Sequence, residues 1–290
     1  MPVPPQTAIR DRADRCPGVT RPWPAEDGSL VRIRVVGGAL PASALASLVE
    51  LAGRFGDGDL HLTKRANLQL RALADPVPDA FVAGVRDAGL LPSSSHELVR
   101  NVMVSPLSGR LGGRADLRPV ATGLDRLLLA DPACARLPGR FLFVLDDGRG
   151  DLVGRTSDLS VVALDADTVQ LRAGDVWGPV LPVDEAANTL MALTELFLET
   201  RPEGPCAAWH VAELDTPLCT SHDRDPRVRE TGGRPPYGLA EQVDGRTVQH
   251  VEVPDGRLTP ALADEVLARA GAEVVVTPWR SLLLPDLEDR

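Results

Sequence analysis

The sequence predicts an α+β fold in which one strand–helix–strand unit occurs twice, near either end, around a central unit of different pattern. Three observations predict it. Apolar and polar residues alternate in Leu30–Val35 (LVRIRV) and in His61–Leu73 (HLTKRANLQLRAL), the period of a half-buried strand. Between them, Leu45, Leu48, Val49 and Ala52 repeat at helical spacing. Residues 235–287 then resemble residues 22–73: Asp27-Gly28 matches Asp244-Gly245, Gly38-Ala39-Leu40 matches Gly256-Arg257-Leu258, and Leu62–Leu68 matches Val276–Leu282.

Taken in order, residues 1–20 are rich in Pro, Arg and Asp and read as an N-terminal arm, with a turn at Cys16-Pro17-Gly18. The first repeated unit spans 21–92. Gly37-Gly38 ends its first strand, Pro41 suits a first helical turn, and Gly56–Asp59 turns the chain into His61–Leu73, read as one strand. Pro78–Leu90 reads as a second helix with Phe81, Val82 and Val85 on one side. The central unit spans 97–200: a short helix at Thr122–Ala130, a strongly apolar strand at Arg140–Asp146, and a hairpin of Leu159–Leu164 with Thr168–Arg172. Its last helix runs to Glu199, capped by Asp184, with Ala187, Leu190, Met191, Leu193, Thr194 and Phe197 inward. Residues 201–234 read as an irregular connector and 235–290 as the second copy. The copies are expected to pair around a pseudo-twofold axis, leaving a ligand cleft against the central unit.

Composition narrows the function. A net charge of −10 over 290 residues argues against general nucleic-acid affinity. No apolar run spans a bilayer and the start lacks a secretory core, so a cytoplasmic protein without membrane contact is expected. The four cysteines, at 16, 134, 206 and 219, form no CxxC or CxxxC pair, which makes a poor zinc or iron–sulfur site. Cys219 and His222 have metal-pair spacing but no evident further ligands, so no metal site is expected.

The candidate binding residues are Arg65 and Arg280, one from each copy, with Arg100, Asn101 and Arg140 from the central unit. The guanidinium fork suits carboxylates and stays charged when desolvated, so several arginines around one cleft of an acidic protein point to a polyanionic ligand. The competing reading is that each is a solvated surface group or half of an ion pair with the abundant Asp and Glu.

LTKRANLQL, RNVMVSPLSG, LPGRFLFVLDDGRGDL and GRLTPAL with TPWRSLLL together resemble the siroheme-dependent nitrite and sulfite reductase superfamily, with CPGVTRPWPAEDGSLVRIRV fitting its precorrin-3B synthase branch. The resemblance covers residues 16 to 287. It implies two ferredoxin-like half-domains flanking an α/β nitrite/sulfite reductase-type domain, and a tetrapyrrole ligand whose carboxylates meet Arg65, Arg100, Asn101, Arg140 and Arg280. It also implies oxygen-dependent hydroxylation of precorrin-3A with lactone closure, using a [4Fe-4S] cluster and a further iron or siroheme. Cluster cysteines of the family follow the second half-domain in a spacing that none of the four cysteines reproduces, so a separate cluster-bearing chain is an expected partner. Leu142 stands where sulfite reductases place a lysine. Two other readings stay open: a non-catalytic tetrapyrrole-binding protein, and a sulfite or nitrite reductase fragment.

Overall fold

His61–Leu73 is not one strand but two. In the computed structural model, which describes residues 14–202, 204 and 207–288, Leu62 pairs with Leu68 across a tight turn. The alternation continues through the stretch, but Ala66 adopts a left-handed backbone (φ 55°) that reverses the chain. The chain divides into two units, each with its own core. Cys16–Leu98 with Arg234–Arg290 form one, and Val99–Gly233 with residues 14 and 15 form the other.

In the duplicated unit the first copy runs β1 (Trp23–Ala25), β2 (Gly28–Ile33), β3 (Ala39–Pro41), α1 (Ala42–Phe55), β4 (Leu60–Leu62), β5 (Leu68–Leu73) and α2 (Asp79–Asp87). Helix α1 buries Ala44, Leu45, Leu48 and Ala52, close to the stripe read from sequence. Each of its large apolar side chains contributes about 1.5–3 kcal/mol by leaving water. Phe81 and Val85 do the same for α2.

The other unit holds β6 (Val102–Val104), α3 (Arg118–Ala130), β7 (Phe143–Asp146), β8 (Leu159–Ala163), β9 (Thr168–Ala173), β10 (Val176–Pro182) and α4 (Ala186–Thr200). Its sheet has the order β10-β9-β8-β7-β6, with β6, β7 and β8 parallel and the rest antiparallel. Strand β7 is internal and every residue of it is buried, as its apolar run requires. Phe141 stacks on Phe143 (5.2 Å) and on Phe197 of α4 (4.9 Å). Asp184 is not the cap of α4. It lies in a 3-10 turn, Val183–Glu185, and Glu185 precedes the helix with no side-chain cap bond.

The second copy follows as β11 (Gly238–Glu241), β12 (Thr247–Val251), β13 (Arg257–Leu258), α5 (Pro260–Arg269), β14 (Glu273–Val276) and β15 (Leu282–Leu287). The copies exchange strands. One sheet has the order β1-β2-β5-β4-β13 and the other β11-β12-β15-β14-β3, so each copy gives its short strand to the other's edge. Arg257 and Leu258 pair with His61 and Leu60, while Ala39, Leu40 and Pro41 pair with Val275, Val274 and Glu273. One core joins Leu40, Leu45, Leu60 and Leu68 with Leu258, Val266, Val274 and Leu282. The expected α+β fold with paired half-domains is therefore observed.

Two segments outside the regular elements are held by hydrogen bonds. The arm read over 1–20 lies outside the described residues up to 13, and Cys16–Thr20 is tied into the duplicated unit. Glu97 accepts from Val19 N (2.6 Å), Thr20 N (3.0 Å) and Thr20 Oγ1 (2.5 Å). The described residues 207–233 of the connector are hydrogen-bonded to the unit that carries β8–β10. Asp158 accepts from Val211 N (3.0 Å), Gln170 from Asp225 N (2.9 Å), and Gly150 O from Thr231 N (2.9 Å). Composition conceals this, because these are backbone donors meeting isolated side-chain or carbonyl oxygens.

Candidate functional site

In the duplicated unit the two Thr-containing turns are built alike. Thr63 N donates to Asn67 O (2.9 Å) and Ala66 N to Thr63 O (3.1 Å); Thr277 N donates to Ser281 O (2.9 Å) and Arg280 N to Thr277 O (3.0 Å). The left-handed residue is Ala66 (φ 55°) in one and Arg280 (φ 59°) in the other. Each turn is fixed from beneath. Asn67 Oδ1 accepts from Val35 N (2.9 Å), whereas Ser281 Oγ lies 2.7 Å from His250 Nε2 and 2.6 Å from Thr277 Oγ1.

Glycines let the turns cross. Gly38 (φ 75°) and Gly256 (φ 71°) close equivalent 3-10 turns. A Cβ on Gly38 would strike the Val276 carbonyl, and one on Gly256 would come within 3.0 Å of Arg280 Cβ and 3.3 Å of the Leu62 carbonyl. Each copy thus touches the other at its own turn.

Arg65 and Arg280 are both in this unit, but their positions are not equivalent. Trp279 occupies the place of Arg65, and Arg280 that of Ala66. Arg280 is exposed and donates to Asp255 O (3.1 Å). Arg65 is half-buried, and its neighbour is an arginine that the sequence reading passed over. Arg32, on β2, is half-buried, and the amide oxygen of Gln69 accepts from its Nε (3.1 Å) and Nη2 (2.7 Å) once that amide is oriented by its hydrogen bonds. Burial lowers its pKa, Cys16 opposes this, and the charge of Arg65 adds a smaller lowering. No carboxylate pairs with Arg32 among the described residues, whereas Arg71 pairs with Asp27 (2.9 Å) and Arg257 with Asp59. Its signal was present in LVRIRV, where two arginines share one face of a strand.

The other three candidates lie in the second unit, at the end of the sheet where parallel β6 and β7 begin. Asn101 is buried and its Nδ2 donates to Gly139 O (2.8 Å), tying the entry of β6 to the turn that carries Arg140. Arg140 is exposed, with its guanidinium carbon 4.9 Å from the centre of the Trp209 ring. Arg100 forms a fork with Asp125 of α3, Nε–Oδ1 2.6 Å and Nη2–Oδ2 2.8 Å. The ion-pair reading therefore describes Arg100 as it stands.

The described cysteines do not fit an iron–sulfur cluster. Cys16, Cys134 and Cys219 form no disulfide among the described residues, and no group of three metal-ligating side chains among them contains a cysteine. Burial pushes the Cys134 thiol up to about 12, away from the thiolate a cluster needs. No helix among the described residues is long and apolar enough to cross a membrane.

Residues 23–80 match the family described as the nitrite/sulfite reductase ferredoxin-like half domain. The chain is 31% identical over 173 residues to a precorrin-3B synthase of Sinorhizobium sp. The alignment covers 59% of this chain and 36% of that protein. In structure it is similar to the NirA protein of Mycobacterium tuberculosis, with TM-score 0.71 and 20% identity, over 90% of this chain and 54% of that one. The matches thus span a third to a half of those longer proteins. The structural likeness shows a common fold.

Proposed function

We infer that this chain, a homologue of a precorrin-3B synthase that carries a nitrite/sulfite reductase ferredoxin-like half domain, holds the carboxylate arms of a tetrapyrrole. The observation that supports this is the pair Arg32 and Arg65. Both guanidinium groups are partly withdrawn from water, the charge of Arg65 acts on Arg32, and no carboxylate pairs with Arg32 among the described residues. Such an arrangement is costly without an anion and favourable with one, because desolvated arginine forks bind carboxylates bidentately.

The reaction we propose is that of the relative's name: oxygen-dependent hydroxylation of precorrin-3A with lactone closure. In it, Arg32, Arg65 and Arg280 hold acetate or propionate arms from the duplicated unit. Within the second unit, Arg100, Asn101 and Arg140 are proposed as carboxylate contacts in their own right, Arg100 exchanging Asp125 for a ligand carboxylate. The family's cluster would supply redox chemistry, and since the described cysteines do not fit it, a partner chain is proposed to carry it. This chain's own part is to bind and orient.

The test uses uroporphyrin III, which carries eight carboxylates, and its octamethyl ester, which carries none. The chain is expected to bind the acid and not the ester. Equal binding of both, or of neither, overturns the reading.

A further inference from the structure

We propose that the loop leaving β7 is a site for one hard divalent cation, of the Mg2+ or Mn2+ type, held by the carboxylates of Asp146, Asp147 and Asp151. All three residues are buried, at 0%, 0% and 5% exposure. One oxygen from each lies within 4.8 Å of the others, and a shared ion at the usual metal–oxygen distance of about 2.0–2.6 Å satisfies that spacing. An all-oxygen donor set selects hard cations over zinc or iron. The sequence reading expected no metal because it looked for cysteine and histidine spacing.

Acidic side chains gather for many reasons, and most of these oxygens have structural partners. Asp146 accepts from Gly148 N (2.9 Å), Gly150 N (3.0 Å) and Leu152 N (2.8 Å), which curls the loop around it. Ser105 Oγ donates to Asp151 Oδ1 (2.6 Å) and accepts from Asp147 N (3.1 Å). The exception is Asp151 Oδ2. Its side chain is 98% buried and this oxygen has no hydrogen-bond partner. A buried carboxylate oxygen left in this state is destabilising, so it calls for a ligand.

Charge points the same way. The adjacent cation, Arg149, is committed to Asp147, with Nη2–Oδ2 at 2.7 Å and Nε–Oδ1 at 3.0 Å, and its Nε stands 3.8 Å from Asp151 Oδ2. Arg155 also acts on Asp151 by charge, so three carboxylates face two guanidinium groups and a net negative charge is left for a bound cation to offset.

The test is Mn2+ binding to the chelator-stripped full chain, read by electron paramagnetic resonance and by the Mg2+-induced rise in melting temperature. Wild type is expected to bind one Mn2+ at about 1 mM or below. Asp151→Asn, which keeps the shape and removes the charge, is expected to weaken binding about tenfold or more. Arg149→Gln removes the competing cation and is expected to tighten it. Asp57→Asn, in the second carboxylate group with Asp59 and His61, is expected to change nothing. Absence of bound Mn2+ in wild type overturns the proposal, as does unchanged affinity in Asp151→Asn. Should Asp151→Asn fail to fold, unchanged or weaker affinity in Arg149→Gln overturns it instead.

Discussion

Ala66 and Arg280 hold the same left-handed position in the two copies of one turn, with φ of 55° and 59°. The same backbone thus carries a small buried residue in one copy and an exposed cation in the other. The left-handed region costs a non-glycine residue about 1–2 kcal/mol. Arg280→Gly is therefore expected to raise stability by up to about 1 kcal/mol, after the extra freedom of the unfolded chain is counted, while weakening uroporphyrin binding. Chemical denaturation and a binding titration read the two effects separately.

Asn67 caps the equivalent turn from inside. It is 1% exposed and its Oδ1 satisfies Val35 N. Asn67→Ala leaves that buried donor unpaired, and a loss of about 1–3 kcal/mol is expected in denaturant unfolding of the chain.

His250 makes the duplicated unit sensitive to acid. Burial lowers its pKa, Pro236 O lies 3.0 Å from Nδ1 and Ser281 Oγ lies 2.7 Å from Nε2, the arrangement of a neutral ring. A histidine whose folded pKa is lowered resists protonation only while folded. Its contribution is complete above the unfolded value of about 6.5 and is lost as pH falls through that value towards the folded one. Stability is expected to drop between about pH 7 and 5, and less so in His250→Gln, in melting curves taken across that range.

Asp158 anchors His210 and Val211 to the sheet. At 2% exposure it accepts from Leu142 N (2.9 Å) and Val211 N (3.0 Å), with His210 Nδ1 3.3 Å away. Asp158→Ala strands two buried donors and is expected to cost about 2 kcal/mol or more. Hydrogen exchange is expected to quicken at 207–214 before the β-sheet.

Much of this architecture was legible because apolar periodicity reports burial directly. The α1 stripe, the apolar β7 and the duplication all followed from it. The turn inside His61–Leu73 was hidden because Ala66 carries no Gly, Asn or Pro signature for a left-handed residue. Strand exchange through Ala39–Pro41 and Arg257–Leu258 was hidden because strands of two or three residues have no period to read. Arg65 and Arg280 were visible as arginines near a threonine, yet their inequivalence needed the backbone. Arg32 was overlooked since a strand arginine most often faces water, and only its burial beside Arg65 distinguishes it.

The account rests most directly on whether paired guanidinium groups bind carboxylates, and the decisive measurement is the uroporphyrin III dissociation constant of Arg32→Ala, Arg65→Ala and Arg71→Ala. Losing a desolvated arginine–carboxylate contact costs about 2–5 kcal/mol, so the first two are expected to bind about thirtyfold or more weakly. Arg71, already paired with Asp27, is expected to bind as wild type does. Unchanged affinity in both Arg32→Ala and Arg65→Ala, or an equal loss in Arg71→Ala, would contradict the account.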